Sequence, residues 1–418
     1  MALKNKSITD YLAITLIIFL TLPFLNLIFI SSDFSQKEIQ SLLNKDLIKF
    51  ISASLCIATI VAIFATSLAI ILSWLITFFE FPLAKFLRIA LILPITIPAY
   101  ITAAIYSYIF EIQLTRFFDI SINIHNIIGS IFILTIALFP YIYLILLKNF
   151  QKMGDRIDIG KTLSLSKLQC LFKIAIPCCR PAIFLGFFLV FMESLADYGV
   201  VSLYGVNSLT TAIYNYWFYH DNYKIAVILS VIMFSFVLFL LFLEQLLRGN
   251  AKYYNLGPSV NITKEKLPKN KAIIASIFCS LIFLISFAIP LIQILSWASS
   301  DLGIFFNKTF FKTLLNSIFL ASIGGISIIC IAAIILYFLA NLKSKSLSNL
   351  LTNFISIGYA IPGSVIAIAI LSSYENLNDF IADDIIKIFN YGVFALIFAY
   401  NIRFMNLGLK NLSNAMEK

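Results

Sequence analysis

The chain has 418 residues, of which 61% are hydrophobic and 12% are charged, and its formal net charge is +10. A soluble domain is about one quarter charged and about half apolar, so this composition excludes a string of soluble domains. The mean hydropathy of +0.97 is typical of a chain built largely from lipid-facing helices.

Apolar stretches of about 20 residues recur along the sequence, and each is long enough to cross a bilayer as a helix. We predict an all-α, polytopic membrane helical bundle of about ten transmembrane helices. The runs are continuous, which excludes the alternating pattern of a transmembrane barrel. The predicted spans are residues 11–30, 51–78, 87–110, 127–147, 182–203, 225–247, 272–297, 313–340, 350–372 and 389–407. The first span is too long for a removed signal peptide and lacks a small-residue cleavage site, so we expect it to be retained.

The distribution of positive charge predicts the orientation. With the N-terminus in the cytoplasm, 22 of the 30 Lys and Arg residues fall on the inner side, and an even number of spans places the C-terminus there too. The net charge therefore needs no nucleic-acid partner. All six cysteines fall in spans or on the cytoplasmic side, which predicts no structural disulfide. The adjacent Cys178 and Cys179 lack the second pair of ligands that a metal site requires.

The sequence divides into two similar parts. A polar linker over residues 248–271 separates a first half of six spans (residues 1–247) from a second half of four spans (residues 272–418). Pro98 and Pro362 stand at equivalent places in the two halves. Tandem repeats of this kind are common in transporters, whose pathway lies at the repeat interface. On this offset the counterpart of Asp158 would stand near position 420, so we expect the second repeat to be incomplete.

One loop of the first half, at about residues 155–180, is polar and basic. Its apolar residues recur at largely helical spacing between three lysines, which predicts a short amphipathic helix on the cytoplasmic surface. The apolar set is Leu163, Leu165, Leu168, Leu171 and Phe172. Periodicity alone fits a helix on the lipid headgroups as well as a helix that docks a partner protein. The stretch "GDRIDIGKT" is not a phosphate-binding loop, because the spacing of its glycines is wrong and a span precedes it.

This loop resembles the EAA loop of ABC importer permeases, E-A-A-x-x-x-G-x(9)-I-x-L-P. Asp158, Ile159 and Gly160 stand at E-A-A, Ser164 stands at the glycine, and Pro177 ends the pattern. Serine is an unfavourable replacement there, since the family's glycine permits a turn that serine reaches less easily. The segments "LPITIPAY", "FMESLADYGVVSLYGVNSLTTAIYNYWF" and "GYAIPGSVIAIAI" resemble the permeases of ferric-iron importers that fuse two halves in one chain.

The resemblance implies a type I importer permease of the bacterial inner membrane, with iron(III) as the expected substrate. A periplasmic binding protein would deliver the substrate, and a cytoplasmic ABC ATPase dimer would bind the ATP, so we expect this chain to hold no cofactor and to be no enzyme. The ATPase-coupling residues that the resemblance implies are Asp158, Gly160, Thr162, Ser164, Leu165, Ser166, Leu168 and Pro177. The alternatives are a permease for thiamine, polyamine, sulfate or phosphonate, or an inactive remnant of such a permease.

Several residues inside the predicted spans are candidates for the translocation path or its gate. Glu193 and Asp197 are expected one helical turn apart on the fifth span, where acids are costly and usually face protein or water. They fit a pair on the path, or a hydrogen bond between helices. Pro94, Pro98 and Pro362 fit either gates or ordinary packing kinks. His125 and His220 are expected outside the membrane, where two lone histidines make no iron site.

Overall fold

The computed structural model describes residues 8–32, 45–120, 122–154, 157–158, 160, 164–219, 222–248, 264–300, 303, 307–342, 345–377 and 392–416. Its helices α1 to α9 are Ile8–Ser32, Lys45–Phe78, Ala84–Ala90, Ala99–Ser107, Leu114–Phe118, Ile127–Gln151, Lys167–Cys170, Ile176–Cys178 and Arg180–Leu195. Helices α10 to α18 are Gly199–Leu203, Leu209–Phe218, Tyr223–Arg248, Lys269–Phe283, Ile289–Ser300, Lys308–Asn341, Lys345–Ala360, Gly363–Leu377 and Val393–Met416. Strands β1 (Phe79–Glu80) and β2 (Glu265–Lys266) form a short parallel pair.

The structure confirms an all-α membrane protein. Within the described residues, six helices are long and apolar enough to cross a bilayer, and two bent helix pairs raise the number to as many as eight. Three of the ten predicted spans are interrupted. The third bends by 91° between Thr96 and Ala99, and the ninth breaks between α16 and α17. The fifth was expected over residues 182–203, but its helix α9 ends at Leu195.

Proline explains the break in the third span. The ring of Pro98 forces the preceding residue out of the helical region, and Ile97 accordingly adopts φ −101° and ψ 118°. Helix α4 begins one residue after Pro98, and α17 begins one residue after Pro362. Both prolines therefore precede a helix instead of kinking one from within.

Helix lengths agree with the predicted repeat. Helices α2 and α15 each have 34 residues, and both ends of α15 lie 263 positions after those of α2. Helices α4 and α17 begin 264 positions apart, and α6 and α18 have 25 and 24 residues. The division into two permease halves nevertheless stays a prediction, because the compact units follow other boundaries.

One compact unit comprises Met1–Leu47, Ala212–Leu238 and Asp301–Lys418. Here α18 packs between α15 and α16, and small residues permit the close approach. A Cβ added to Gly358 would collide with the backbone carbonyl of Ile402 on α18. Asn401 donates a hydrogen bond to Ser327 on α15 over 2.9 Å. Helix α1 packs on α15 and α17.

The other unit comprises Ile48–Thr211 and Phe239–Ser300 and contains the EAA-like loop. Its core includes α6, against which α9 packs, with Phe139, Tyr143 and Phe150 fully buried. The Tyr143 hydroxyl donates to the Arg88 carbonyl over 3.1 Å. The Tyr106 hydroxyl donates to the carbonyl of Ile285 over 2.6 Å, which joins α4 to the helical segment after α13.

Candidate functional site

The EAA-like segment, residues 157–178, begins with a tight turn. Ser164 adopts φ +58°, and the amide of Leu165 donates to the Gly160 carbonyl over 3.1 Å. A left-handed residue followed by a six-to-one hydrogen bond defines the Schellman motif that ends many helices, and its left-handed position favours glycine. The structure thus places Ser164 in the conformation for which the EAA pattern uses glycine.

A capped helix follows the turn. The Ser166 side chain accepts from the Gln169 amide, and the Gln169 side chain accepts from the Ser166 amide, which together form a capping box. The helical segment then runs from Lys167 to Cys178, with a π-helical turn at Leu171–Ala175 immediately before α8, which contains Pro177. A wider turn before Pro177 makes room for the proline ring, which would otherwise clash with a carbonyl of the preceding turn and which offers that carbonyl no amide hydrogen. The segment meets α9 at a bend of 75°.

The predicted amphipathic helix therefore needs correction. Leu165 precedes the helix, so it does not share a face with the later leucines. Leu171 is buried, whereas Leu168 and Phe172 are 67% and 64% exposed. These two side chains stand four positions apart and share one face of the helical segment. The outward face is thus partly apolar and is flanked by the exposed Lys173.

Three predicted coupling residues remain, namely Asp158, Gly160 and Thr162. Asp158 is exposed near the start of the segment. Gly160 is buried, and a Cβ added there would lie 2.5 Å from Ile174 and 3.1 Å from Cys170. Thr162 lies outside the described residues.

Lys167 joins the EAA-like segment to a distant part of the chain. Its ammonium lies 2.8 Å from the carboxylate of Glu265 and 5.2 Å from the ring centre of Phe79. Neither partner was predicted from the sequence, since Glu265 is far from Lys167 along the chain and carries no motif. Lys264, which directly precedes Glu265 in the chain, has a pKa below the usual value for lysine. The main cause is burial, and the second is the positive charge of Arg88.

The two acidic residues predicted for the path do not lie on the same helix. Glu193 lies on α9, but Asp197 lies beyond the end of that helix, so the expectation that they share one helical face is wrong. The Asp197 carboxylate accepts hydrogen bonds from the amides of Val200 and Val201, at 3.0 and 3.2 Å. Its backbone carbonyl accepts from the Thr210 hydroxyl over 2.7 Å. Asp197 thus stabilises the turn that leads from α9 into α10.

The predicted prolines and His125 are more widely spread, and His220 lies outside the described residues. Pro94 lies in a 3-10 turn, Leu93–Thr96, and is buried. Pro98 precedes α4, as noted above. His125 lies 3.1 Å from Glu111, and its ring packs 5.2 Å from that of Tyr204. No group of three His, Cys, Asp or Glu side chains that could hold a metal occurs within the described ranges.

Comparison with known proteins shows that the chain is similar to transport permeases. The family model described as "Binding-protein-dependent transport system inner membrane component" matches residues 65–250, which include the EAA-like segment. The chain is 23% identical over 412 residues to the Fe(3+)-transport system permease protein FbpB 2 of Haemophilus influenzae, a match that covers 96% of this chain and 76% of that protein. It is 22% identical over 164 residues to the sulfate transport system permease protein CysT of Salmonella typhimurium, covering 38% of this chain and 59% of that protein. The chain is a multi-pass membrane protein that is similar to ABC importer permeases over residues 65–250, and it resembles a ferric permease along nearly its whole length.

Proposed function

We propose that this chain forms the translocation path of an iron(III) importer and couples that path to a cytoplasmic ATPase. The similarity to an Fe(3+)-transport permease over 96% of the chain carries the choice of substrate. Sulfate is the second candidate, favoured by the shorter match to a sulfate permease. A periplasmic binding protein and an ABC ATPase dimer are the partners, and ATP belongs to the ATPase. The chain itself holds no cofactor and catalyses no reaction.

The ATPase docking surface that we assign is the outward face of the EAA-like segment. Leu168 and Phe172 are both about two-thirds exposed, and they project from a helix fixed at its start by the Ser166 cap. A short helix with one apolar pair suits a groove on a protein partner, where aromatic side chains contribute most of the binding energy. The positive charge of the inner segments supports a cytoplasmic position for this face, with both termini inside.

Two kinds of residue are assigned to the path. Pro98 and Pro362 stand at helix breaks, and broken helices in transporters line substrate paths and gates. Pro94 belongs to the first of these breaks. Glu193 keeps its assignment to the path, and its partly exposed position on α9 supports it. Asp197 acts on the path indirectly, through the turn that its carboxylate stabilises.

Substrate choice is tested by uptake in cells. The chain is expressed with the ATPase and binding protein of its own genome in a strain that lacks native iron and sulfate importers. We expect uptake of radiolabelled iron(III) that stops when the ATPase carries a mutation in its ATP-binding lysine. Uptake of radiolabelled sulfate without iron(III) uptake would replace iron by the second candidate, and uptake of neither ion would refute both.

Docking is tested by co-purification of the tagged ATPase. Leu168→Asp and Phe172→Asp place a charge on the outward face without disturbing a buried contact, so both variants should lose at least nine-tenths of the bound ATPase. Phe118→Asp is the matched control, because Phe118 is 68% exposed at the end of α5, on the predicted outer side. Equal ATPase recovery with all three variants would refute the docking site. Gly160 is unsuitable for this test, since any side chain there would displace Ile174 and Cys170.

A further inference from the structure

The end of the polar linker is built into the fold of one compact unit. Residues 264–267, here called the linker strap, run alongside the two residues that follow α2. Phe79 pairs with Glu265 and Glu80 with Lys266 in a parallel register, and the amide of Leu267 donates to the Glu80 carbonyl over 3.3 Å. These backbone bonds fix the strap beside the end of α2.

Side chains strengthen the attachment on both sides of this pairing. The Lys264 ammonium donates to the carbonyl of Ile76, in the last turn of α2, over 2.8 Å. That carbonyl is among the last four of the helix, for which the helix itself provides no amide donor. Phe79 belongs to an aromatic cluster with Trp74, Phe78 and Phe150, whose ring centres lie 4.4 to 6.1 Å from their neighbours. The strap therefore pairs with a segment whose aromatic side chains belong to a buried cluster.

Lys167 connects the strap to the EAA-like segment. It is the first residue of the helical part of that segment, directly after the Ser166 cap. Its ammonium contacts the Glu265 carboxylate of the strap and the ring of Phe79 beneath it. Both charged side chains are a little under half exposed, so the ion pair alone is worth little, but the ring provides a second contact for the same ammonium.

We propose that the linker strap holds the EAA-like segment in its ATPase-binding position, with Lys167 and Glu265 as positioning residues. The strap continues directly into α13, the first long helix after the linker. A movement of the EAA-like segment is thus passed to α13 through the ion pair and the strap, in addition to its direct passage into α9, which follows the segment in the chain. The inference rests on the proposed function, because the segment must dock an ATPase for its position to matter.

The contact itself is tested without any transport measurement. A water-soluble carbodiimide joins a carboxylate to a touching amine as an amide, and the carbodiimide takes up the elements of water to become a urea. In the purified full chain we expect a cross-linked peptide pair that joins Lys167 to Glu265 by mass spectrometry, and we expect the pair to be absent in Lys167→Arg. Absence of the product in the wild-type chain would overturn the proposal.

The positioning role is tested by titrating the ATPase against the permease in detergent. Lys167→Glu and Glu265→Lys each place like charges together, so each should raise the half-saturating ATPase concentration on the order of threefold to fivefold. The double variant restores opposite charges and should recover most of this loss of affinity. If each substitution instead caused its own local structural defect, the two losses of affinity would add in the double variant. Lys271→Glu is the control, because it makes the same charge change on an exposed site outside the strap and should leave binding within twofold.

The outcomes separate this inference from the proposed function. If the double variant binds as weakly as the sum of the single variants predicts, or if the single variants bind like the wild-type chain, the positioning role is refuted. If the cross-link forms but no variant and no wild-type chain binds an ATPase, the proposed function fails while the strap contact stands.

Discussion

Replacement of Ser164 by glycine should stabilise the turn of the EAA-like segment. Ser164 adopts φ +58°, and an L-residue in this left-handed region costs about 1–2 kcal/mol. Glycine avoids this cost but loses roughly 0.5–1 kcal/mol more backbone entropy on folding. The net gain of Ser164→Gly is therefore about 0.5–1 kcal/mol, which corresponds to a factor of about 2 to 5 in the opening equilibrium of the turn.

Hydrogen exchange at Leu165 measures this equilibrium directly, because its amide donates to the Gly160 carbonyl only when the turn is closed. The peptide that contains Leu165 should exchange about 2 to 5 times more slowly in Ser164→Gly. Ser164→Val should exchange faster, since a β-branched residue is least compatible with a positive φ. Ser317→Gly, on an exposed face of α15, serves as the control and should accelerate local exchange, because glycine weakens a helix interior. Equal or faster exchange in Ser164→Gly would refute the assignment of the left-handed turn.

Three further predictions concern the packing around the site. Gly358→Ala should lower the midpoint of thermal unfolding, because the new Cβ meets the backbone of α18 and overpacking costs about 1–3 kcal/mol. The control Gly325→Ala should leave the midpoint unchanged, because there is open space around Gly325. Equal midpoints for the two variants would contradict the close approach of α16 and α18. Asp197→Asn should keep substrate uptake, because its amide oxygen can still accept hydrogen bonds from the amides of Val200 and Val201. Asp197→Leu should reduce the amount of folded protein in the membrane, because these two amides lose their acceptor. If Asp197→Asn were stable but inactive in transport, the charge of Asp197 would belong to the path. Trp74→Ala should destabilise the protein by about 3–5 kcal/mol, seen as a lower yield of monodisperse protein in detergent, and an unchanged yield would contradict the aromatic cluster.

The helical framework was readable from the sequence because membrane helices satisfy their backbone hydrogen bonds locally. Uninterrupted apolar runs therefore mapped well onto α1, α2, α6 and α15. The breaks were less readable. Pro98 and Pro362 were recognised, but a new helix begins directly after each of them, and before Pro98 this break follows from the extended conformation of Ile97. The end of α9 at Leu195 could not be read from hydropathy, since the short helix after it is apolar as well.

The candidate site was predictable where its signal is local. The EAA pattern identified Ser164 as the residue at the glycine position, and the structure gives it a positive φ. The Ser166 cap and its Gln169 partner also follow a short sequence rule. The exposure of Phe172 and the contact of Lys167 with Glu265 were not predictable, because the former depends on the register of a π-helical turn and the latter joins segments far apart in sequence.

The most direct measurement of the central claim is ATP-driven accumulation of iron(III) in proteoliposomes. They would contain the wild-type chain or Phe172→Asp at equal incorporation, together with the ATPase and, on the outer-face side, the iron-loaded binding protein. We predict that radiolabelled iron(III) accumulates with the wild-type chain only when ATP is present, and that Phe172→Asp reduces accumulation to the level of liposomes without the ATPase. No accumulation by the wild-type chain would contradict iron(III) import, and equal accumulation by Phe172→Asp would contradict coupling through the EAA-like segment.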